Sequence, residues 1–326
     1  MIRFATIGTN FVVEWFLKCT EQVEDLQYNG TYSRNIEKAE QFAKEHNGNL
    51  VFDDLEKLAK SKDIDAVYIA SPNSLHYEQA KLMIKNNKHV LIEKTITSNL
   101  RELDELCQLA KENNVVIMEA MRSVHSPGFF AIKDAVKKIE PVRRVEFQYC
   151  QYSSRYDKYK NGIIENAFNP AFSNGALTDI GVYCVHPLVK LFGMPNEIKA
   201  TATILPDSID GQGTITCLYD GMIADISYSK ITNGRIPSQI QGEKGTLLIE
   251  DIPNPRKIRI IYNDGHEEKI ENIPQNDLNL EYEAWEWAEL INKGGFNDKH
   301  IKYSIMCIKV MDEARRQQNI VFPADK

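Results

Sequence analysis

The stretch Ile2-Arg3-Phe4-Ala5-Thr6-Ile7-Gly8-Thr9-Asn10 decides how the rest of this chain is interpreted. A short, mostly apolar run ends at a glycine, and a helical pattern begins at Phe11. In a doubly wound α/β sheet such a turn binds a pyrophosphate, because the N-terminus of the helix presents free N–H donors. The candidates for dinucleotide binding at this turn are Gly8, Thr9, Asn10 and Phe11.

The region 1–121 repeats the pattern of a short apolar strand followed by a helix. The predicted strands are Ile2–Ile7, Leu26–Tyr32, Leu50–Phe52, Ala66–Ala70, His89–Ile92 and Val115–Met118. Continuous apolar strands that alternate with helices are typical of a parallel sheet covered on both faces. The sequence therefore predicts an N-terminal, Rossmann-type, doubly wound domain over residues 1–121, which binds NAD(P).

The pattern changes after residue 121. Predicted helices over Phe129–Lys138 and Ala176–Phe192 lie among longer strands in which polar and apolar residues alternate. The pairs Asp220-Gly221 and Asp264-Gly265 are typical of hairpin turns. We therefore expect a second, α+β domain over residues 122–326, with a largely antiparallel open sheet and helices.

Composition narrows the class of protein. Of the 326 residues, 43% are hydrophobic and 26% are charged, and the net charge is −7. These values are typical of a globular protein and disfavour nucleic acid and anionic membranes as partners. Apolar runs are short and the start does not resemble a signal peptide, so we expect a cytoplasmic protein with no membrane span. The six cysteines form no Cys-x-x-Cys pair, so no metal site is predicted.

Two features bear on the cofactor. The dinucleotide fingerprint has three glycines, of which only Gly8 is present, and Asn10 stands at the second position. Asn tolerates a left-handed backbone better than most residues, so the turn can still form, although an ordinary strand-to-helix turn explains it nearly as well. The second strand ends in Ser33-Arg34 rather than in an acidic residue. Because Arg matches phosphate oxygens, Ser33 and Arg34 favour NADP over NAD.

Two polar stretches follow predicted strands, at the edge where open α/β sheets bind ligands. They are Ser71-Pro72-Asn73 with His76, and Glu93-Lys94-Thr95. An ammonium group at Lys94 would orient a substrate hydroxyl and stabilise negative charge that develops on its oxygen. Taken alone, Lys94 is also explained as a solvated lysine at the start of a loop.

A third stretch lies in the predicted helix Ala176–Phe192. Asp179, Tyr183 and His186 are spaced i, i+4 and i+7, which places them on one stripe of an α-helix. Tyr183 is a candidate proton donor for carbonyl reduction or base for alcohol oxidation, since a nearby ammonium favours the phenolate. Each residue also has a structural explanation: a helix cap for Asp179, a half-buried aromatic for Tyr183 and a core histidine for His186.

Taken in this order, the three stretches resemble the glucose-fructose oxidoreductase / inositol dehydrogenase family (Gfo/Idh/MocA) over nearly the whole chain. The strongest match is Gly175-Ala176-Leu177-Thr178-Asp179-Ile180-Gly181-Val182-Tyr183. The resemblance implies that Lys94 is the catalytic lysine beside the nicotinamide and that Tyr183 is the acid/base group, with Asp179 beside it. It implies further cofactor contacts from Ser71, Pro72, Asn73, His76 and Glu93.

Tyr183 is similar to the glucose-fructose oxidoreductase and dimeric dihydrodiol dehydrogenase branch of this family, which tends to use NADP. The segment Glu119-Ala120-Met121 is similar to the dihydrodiol dehydrogenase branch. Thr95 departs from the family, since it replaces a proline that often introduces a cis or rigid turn. Arg122 and Val124 stand where that branch carries Trp and Arg, so we expect a different substrate pocket. Candidate substrate-binding residues are Lys94, Arg122, Asp179, Tyr183 and His186, with Tyr156 from the aromatic-rich loop Tyr152–Phe172.

The sequence thus favours an NADP-dependent dehydrogenase or reductase, with NAD as the second option for the cofactor. It would transfer hydride to or from a sugar, polyol or dihydrodiol-like alcohol or carbonyl, with Lys94 and Tyr183 as the acid/base pair. One alternative is a non-catalytic dinucleotide- or sugar-binding sensor of the same fold, which the missing glycines favour. Another is an NAD-specific polyol dehydrogenase, which Ser33-Arg34 disfavours. The resemblance also implies that the domain over residues 122–326 binds the substrate and mediates oligomerisation, as a homodimer or homotetramer.

Overall fold

The computed structural model describes all residues from Met1 to Lys326. The chain divides into two compact units, of which the first contains Met1–Met121 and Leu278–Ile305 and the second contains Arg122–Asp277 and Met306–Lys326. The change of unit after Met121 falls where the sequence predicts the domain boundary. Leu278–Ile305, however, lies in the first unit rather than in the region 122–326 predicted for the second domain.

The first unit contains a parallel sheet of six strands. The strands are β1 Ile2–Ile7, β2 Leu26–Tyr32, β3 Leu50–Phe52, β4 Ala66–Ile69, β5 His89–Glu93 and β6 Ile117–Ala120. The helices between them are α1 Phe11–Thr20, α2 Ile36–Glu45, α3 Leu55–Lys60, α4 Asn73–Lys85 and α5 Leu100–Glu112. The strand order is β3-β2-β1-β4-β5-β6, which confirms the predicted Rossmann-type sheet. The order reverses between β1 and β4, so a ligand crevice is expected at the carboxyl ends of these strands.

A late helix of the chain belongs to this first unit because its apolar face packs into the same core. Helix α9 spans Glu281–Lys293, and its Trp287 is fully buried. The ring centroid of Trp287 lies 6.2 Å from that of Phe4 in β1, in an edge-to-face arrangement. This contact joins residues at the two ends of the chain, so no local pattern predicts it.

The second unit contains a mostly antiparallel sheet of eight strands. The strands are β7 Val142–Cys150, β8 Glu197–Leu205, β9 Ile209–Tyr219, β10 Met222–Ser229, β11 Ser238–Gly242, β12 Gly245–Ile249, β13 Ile258–Tyr262 and β14 Glu267–Ile270. Their order is β14-β13-β12-β11-β7-β10-β9-β8, and the pair β7–β10 is parallel. The helices of this unit are α6 Pro127–Ile139, α7 Ser154–Lys160 and α8 Val182–Phe192, and the unit also contains the residues from Met306 onwards of α10 Ile301–Gln317. The predicted α+β class of this region is confirmed.

The two predicted hairpins are present, and two other expectations for the second unit need correction. Gly221 and Gly265 have φ of 74° and 90°, the left-handed conformation that tight turns require. The region Tyr152–Phe172, predicted as a loop, contains the short helix α7, whose N-terminus is capped by the Ser153 hydroxyl. The predicted helix Ala176–Phe192 is not uniformly α-helical, because Leu177–Gly181 forms a π turn before α8.

None of the helices combines the length and the apolar character that a bilayer crossing requires. Strand β10 alternates between buried residues and more exposed ones such as Ile223, which is 42% exposed. The predicted homodimer or homotetramer stays a prediction.

Candidate active site

The turn between β1 and α1 is built around Gly8. Its φ is +118°, and a Cβ atom at this position would lie 2.9 Å from the carbonyl oxygen of Ala70. The N–H of Gly8 donates to the carbonyl oxygen of Tyr32 at 3.2 Å. Only glycine tolerates both the positive φ and the close approach to the residue after β4. The turn is therefore fixed at the point where the strand order reverses.

Asn10 closes this turn in a way that differs from our expectation of a left-handed backbone. Its φ and ψ are −92° and 172°, which is extended. Its Oδ1 accepts hydrogen bonds from the N–H groups of Val12 and Val13, at 2.9 and 3.3 Å. Its Nδ2 donates to the Ala70 carbonyl at 2.9 Å. The expectation was wrong in its mechanism: Asn10 replaces a glycine by acting as the N-cap of α1.

The donors that remain at this helix N-terminus suit a pyrophosphate. The backbone N–H groups of Thr9, Asn10 and Phe11 donate no hydrogen bond within the chain. They sit at the positive end of a helix dipole, beside a glycine that lets a ligand approach the backbone closely. All four residues predicted for this turn thus lie at the N-terminus of α1, and their contact with a dinucleotide phosphate stays a prediction.

Ser33 and Arg34 follow β2 at the same edge of the sheet. The N–H of Ser33 donates to the Phe52 carbonyl at 3.1 Å, and its hydroxyl accepts from the N–H of Asn35 at 3.3 Å. The Arg34 side chain is exposed on this anchored turn. Its guanidinium is available for a phosphate group, and no carboxylate stands in its place to bind ribose hydroxyls.

The Ser71–His76 segment divides into residues at the sheet edge and one beneath it. Pro72 is the N-cap residue of α4 and Asn73 is its first residue, with no side-chain cap. His76 is fully buried, with Nδ1 3.0 Å from the Thr95 carbonyl and Nε2 2.8 Å from the Ser71 carbonyl. Burial lowers the pKa of His76, and the carbonyls oppose that shift. His76 therefore joins the turn after β4 to the turn after β5, with both ring nitrogens engaged by the backbone.

Lys94 directly follows β5 and is half-buried. The peptide bond between Lys94 and Thr95 is cis. The Lys94 N–H donates to Oε2 of Glu93 at 3.2 Å, and the hydroxyl of Tyr68 donates to Oε1 of the same carboxylate at 2.5 Å. Tyr68 is fully buried and stacks on Phe16 with ring centroids 3.9 Å apart. Glu93 thus links the backbone of Lys94 to the core of the parallel sheet.

A second carboxyl group, Glu119 in β6, supports the same turn. Glu119 is 3% exposed, and its Oε1 accepts a hydrogen bond from the N–H of Ile96 at 3.1 Å. Burial raises the pKa of Glu119 to about 7, and a hydrogen bond to the Ser304 side chain opposes the shift. A buried carboxyl that titrates near neutrality therefore lies beneath the turn that carries Lys94.

In the second unit, two acidic side chains hold the segment Gly175–Tyr183 in place, one through a hydrogen bond and the other through an ion pair. Asp210 in β9 is 1% exposed, and its Oδ2 accepts from the N–H of Leu177 at 2.6 Å. A Cβ atom on Gly175 would lie 1.8 Å from the other oxygen of Asp210. Burial raises the pKa of Asp210, and the N–H groups that it accepts from oppose the shift. Asp179 forms an ion pair with Lys230, with Oδ2 and Nζ 2.8 Å apart.

The π turn changes the predicted stripe of Asp179, Tyr183 and His186. A π turn closes with one residue more than an α turn, so residues at i and i+4 across it do not share one line. Asp179 faces Lys230, whereas His186 is 3% exposed. Gly181 lies inside the turn, where a Cβ atom would be 3.1 Å from the ring of Tyr228. The glycine of this segment is thus required for close packing on β10.

Tyr183 lies on the exposed side of α8 and is half-buried. Its ring meets that of Tyr149 edge-to-face, with centroids 5.7 Å apart. The guanidinium carbon of Arg122 lies 5.9 Å from the Tyr183 ring centroid. The structure therefore brings two predicted substrate-binding residues, Arg122 and Tyr183, together, and places a cation beside the candidate acid/base group.

Tyr156, predicted to bind substrate, is part of an aromatic stack. Its ring lies 5.8 Å from that of Phe168 and 6.1 Å from that of Tyr159. The Lys160 ammonium lies 5.3 Å from the Tyr156 ring centroid. The stack holds α7 against the following 3-10 turns of the loop.

Three supporting residues escaped the sequence analysis: Tyr68, Asp210 and Lys230. Tyr68 lies within an apolar strand, and Asp210 and Lys230 follow no motif. In the structure each of Asp210 and Lys230 lies in a run of three buried residues, 209–211 and 228–230, which no pattern in the sequence marks. A charged residue at such a position is buried only if it is paired.

Chemically, the first unit offers N–H donors and an arginine for a dinucleotide, and an ammonium group at Lys94. The second unit offers a phenol beside a guanidinium and an ion-paired carboxylate. These groups bind anions, accept hydrogen bonds from hydroxyls and exchange a proton with an oxygen, which is what redox chemistry at an alcohol carbon requires.

Comparisons with known proteins identify the family of this chain. Residues 2–121 match the model of the oxidoreductase family with an NAD-binding Rossmann fold, and residues 133–248 match the GFO/IDH/MocA C-terminal domain. The chain is 46% identical to the scyllo-inositol 2-dehydrogenase (NADP(+)) IolU of Bacillus subtilis (strain 168), over 100% of both chains. It is 28% identical to the trans-1,2-dihydrobenzene-1,2-diol dehydrogenase of Xenopus tropicalis, over 97% of this chain and 96% of the relative.

Among solved structures, the fold is similar to that of KijD10, a 3-ketoreductase from Actinomadura kijaniata in complex with NADP and TDP-benzene. The TM-score is 0.87 at 20% identity, over 97% of this chain and 98% of the other. At this identity the likeness shows a shared fold. The family models and the 46% identical relative show more: the chain belongs to the Gfo/Idh/MocA oxidoreductase family and is an NAD(P)-dependent oxidoreductase.

Proposed function

We propose that this protein is an NADP-dependent dehydrogenase that interconverts a secondary alcohol of a neutral polyol, of the inositol type, and the corresponding ketone. The observation that carries the proposal is the 46% identity, over the whole length, to a scyllo-inositol 2-dehydrogenase (NADP(+)). The composition of the second unit supports it, since Tyr183, Arg122 and the ion-paired Asp179 suit hydroxyl groups better than a charged or apolar substrate.

Each candidate group has a proposed task. When NADP is bound, its nicotinamide ring accepts a hydride from the alcohol carbon or returns it to the ketone carbon. Lys94 binds the substrate oxygen and stabilises the negative charge that develops on it. Tyr183 takes the hydroxyl proton during oxidation and returns it during reduction. Asp179 accepts a hydrogen bond from a substrate hydroxyl, and Arg122 orients the substrate beside Tyr183.

The remaining predicted residues support these groups. We propose that Gly8, Thr9, Asn10 and Phe11 bind the pyrophosphate through the backbone, and that Ser71, Pro72 and Asn73 line the nicotinamide half. His76 and Glu93 position the turns that flank Lys94, since their polar atoms engage the backbone. Tyr156 and His186 stabilise the loop and α8, in agreement with their packing.

The experiment that tests the reaction is steady-state oxidation of scyllo-inositol with NADP. We expect Lys94→Ala and Tyr183→Phe to lower kcat/KM by about 100-fold or more, the scale of a lost acid/base group. The affinity for NADPH, followed by fluorescence, should change little. Lys85→Ala and Tyr262→Phe are matched controls, because these residues lie outside the site on α4 and β13. Turnover retained in both active-site variants would contradict the roles proposed for Lys94 and Tyr183.

The cofactor preference has its own test. We expect Arg34→Ala to raise the KM for NADP by about tenfold, since a hydrogen bond to a charged group is worth about 1.5–3 kcal/mol. The KM for NAD should not change, because NAD lacks the 2′-phosphate. An equal effect on both cofactors would rule out a 2′-phosphate contact at Arg34.

A further inference from the structure

Lys230 is a buried lysine that follows directly after β10. It is 2% exposed, and a lysine is almost never buried to this extent unless it is paired. Its backbone is fixed on both sides: the N–H donates to the Gly211 carbonyl and the carbonyl accepts from the N–H of Ser153, both at 2.9 Å. The position of the ammonium group is therefore set by the sheet.

The ammonium group of Lys230 contacts two other segments of the chain. Its Nζ lies 2.8 Å from Oδ2 of Asp179 and donates to the carbonyl oxygen of Ala167. It also lies 4.4 Å from the ring centroid of Phe168. Asp179 lies in the π turn that leads to Tyr183, and Ala167 and Phe168 lie in the 3-10 turn Asn166–Phe168 of the region 152–172.

Through these contacts Lys230 connects two parts of the candidate site, the 3-10 turn and the π turn. The 3-10 turn is also part of a small buried cluster of Ala167, Phe168 and Ile209, against which Tyr156 packs. Asp210, which accepts from the N–H of Leu177, also interacts electrostatically with Lys230. The Lys230 ammonium thus interacts with two acidic side chains at the same π turn, Asp210 from β9 and Asp179 from the turn itself.

We propose that Lys230 is a positioning residue that acts on the substrate through Asp179. Lys230 fixes the orientation of the Asp179 carboxylate and offsets its charge. The site therefore accepts a neutral hydroxyl donor at this carboxylate rather than a cationic group such as an amino sugar. The same ammonium group fastens the region 152–172 to the π turn. The part of this inference that concerns turnover rests on the proposed polyol dehydrogenase activity.

A purely structural role for Lys230 predicts different results from a role through Asp179. Lys88 supplies the comparison, because it is a buried lysine whose Nζ donates to the carbonyls of Ser61 and Ile64, both at 2.6 Å. Lys88 is 9% exposed and forms no ion pair within bonding distance. Lys88→Met therefore measures the loss of a buried lysine that holds only backbone.

The test is a double-mutant cycle on scyllo-inositol oxidation with NADP. We expect Lys230→Met and Asp179→Asn each to lower kcat/KM on the order of 100-fold. The double variant should be about as active as the weaker single variant, because both changes remove one ion-paired unit. Lys230→Arg, which keeps the charge, should recover part of the loss, and Lys88→Met should keep kcat/KM within about threefold while lowering Tm.

Multiplicative losses in the double variant, or a loss in Lys88→Met as large as that in Lys230→Met, would overturn the role through Asp179. A wild-type protein with no scyllo-inositol turnover would contradict the proposed function, but it would not contradict the connection that Lys230 makes between the two segments. Hydrogen exchange tests independently whether Lys230 connects the region 152–172 to the π turn. In Lys230→Met, amides of the regions 152–172 and 175–183 should exchange at least about tenfold faster than in the wild type. In Lys88→Met these amides should exchange at the wild-type rate. Unchanged exchange of these amides in Lys230→Met would contradict the proposal that Lys230 connects the two segments.

Discussion

The turn Gly8–Asn10 and the segment Gly175–Tyr183 both bring candidate site residues to the start of a helix, and they are held by different means. In the first, Asn10 caps its own helix through the N–H groups two and three residues further on. In the second, the helix has no side-chain cap from its own N-terminus, and Asp210 and Lys230 from later parts of the chain hold it. A local side-chain cap thus holds the candidate dinucleotide turn, whereas a hydrogen bond to Asp210 and an ion pair with Lys230 hold the segment that carries the candidate acid/base group.

The largest effect tests whether the first turn is as local as this comparison suggests. Trp287→Ala removes a fully buried indole that packs against Phe4 in β1. We expect a loss of about 3–5 kcal/mol in the free energy of unfolding, measured by urea denaturation. The NADPH affinity of the folded fraction should stay within about threefold. A much weaker affinity would show that α9 also shapes the turn, and would contradict the conclusion that local contacts hold it.

A buried carboxyl lies beneath the Lys94 turn in the first unit and another holds the Gly175–Tyr183 segment in the second, and the stability contribution of the first, Glu119, can be measured. Because the pKa of Glu119 is raised from 4.5 to about 7, the folded chain holds its proton more tightly than the unfolded chain does. Its contribution to stability is therefore present below pH 4.5 and is lost as the pH rises to about 7. In Glu119→Gln this loss, at most about 3 kcal/mol, should disappear.

Urea denaturation of the wild type and of Glu119→Gln at pH 5 and pH 7.5 measures this loss of stability. Parallel pH dependences in the two proteins would show that Glu119 titrates normally in the folded state.

The next prediction breaks the second region alone. A Cβ atom on Gly175 would collide with the buried carboxylate of Asp210, so Gly175→Ala should displace the group that holds the N–H of Leu177. We expect kcat/KM for the polyol to fall by about 100-fold, which corresponds to about 2.7 kcal/mol, with little change in NADPH affinity. Steady-state kinetics and a fluorescence titration measure the two effects. Loss of NADPH affinity instead would mean that the two regions are not separable.

The converse change is Gly8→Ala, which combines an unfavourable positive φ with a contact to the Ala70 carbonyl. We expect the Kd for NADPH to rise by about 10–100-fold, since the backbone donors of the turn must move by enough to lose hydrogen bonds. The fluorescence titration measures this Kd, and circular dichroism serves as the control for folding. An unchanged Kd would exclude the turn as the pyrophosphate site.

The smallest effect concerns the cap itself. Asn10→Ala removes the acceptor for Val12 and Val13, at an expected cost of about 0.5–2 kcal/mol in stability. Asn10→Asp keeps an acceptor and should retain most of the stability, while its negative charge weakens pyrophosphate binding. Thermal denaturation and NADPH titration of the two variants separate capping from cofactor binding. Equal stability of Asn10→Ala and the wild type would contradict the capping role.

Sequence and structure agree best where the determinants are close in the chain. The six parallel strands follow from short apolar runs, and the strand-to-helix turn follows from Gly8. The sequence also identified Lys94 and Tyr183 as candidate residues, through a family resemblance that the comparisons support at the level of the family. It did not predict the extended backbone of Asn10, the π turn at Leu177–Gly181 or the burial of His76 between two carbonyls.

The sequence by itself determined the alternation of strands and helices, the position of the strand-to-helix turn at Gly8 and the residue types available for chemistry, because periodicity, glycine and charge act over a few residues. Only the tertiary structure decided that α9 completes the first unit through Trp287, that Glu119 lies beneath the Lys94 turn and that Lys230 pairs with Asp179. These pairings join residues far apart in the chain. They form because a buried charge or a large apolar ring must find a partner wherever the fold places one.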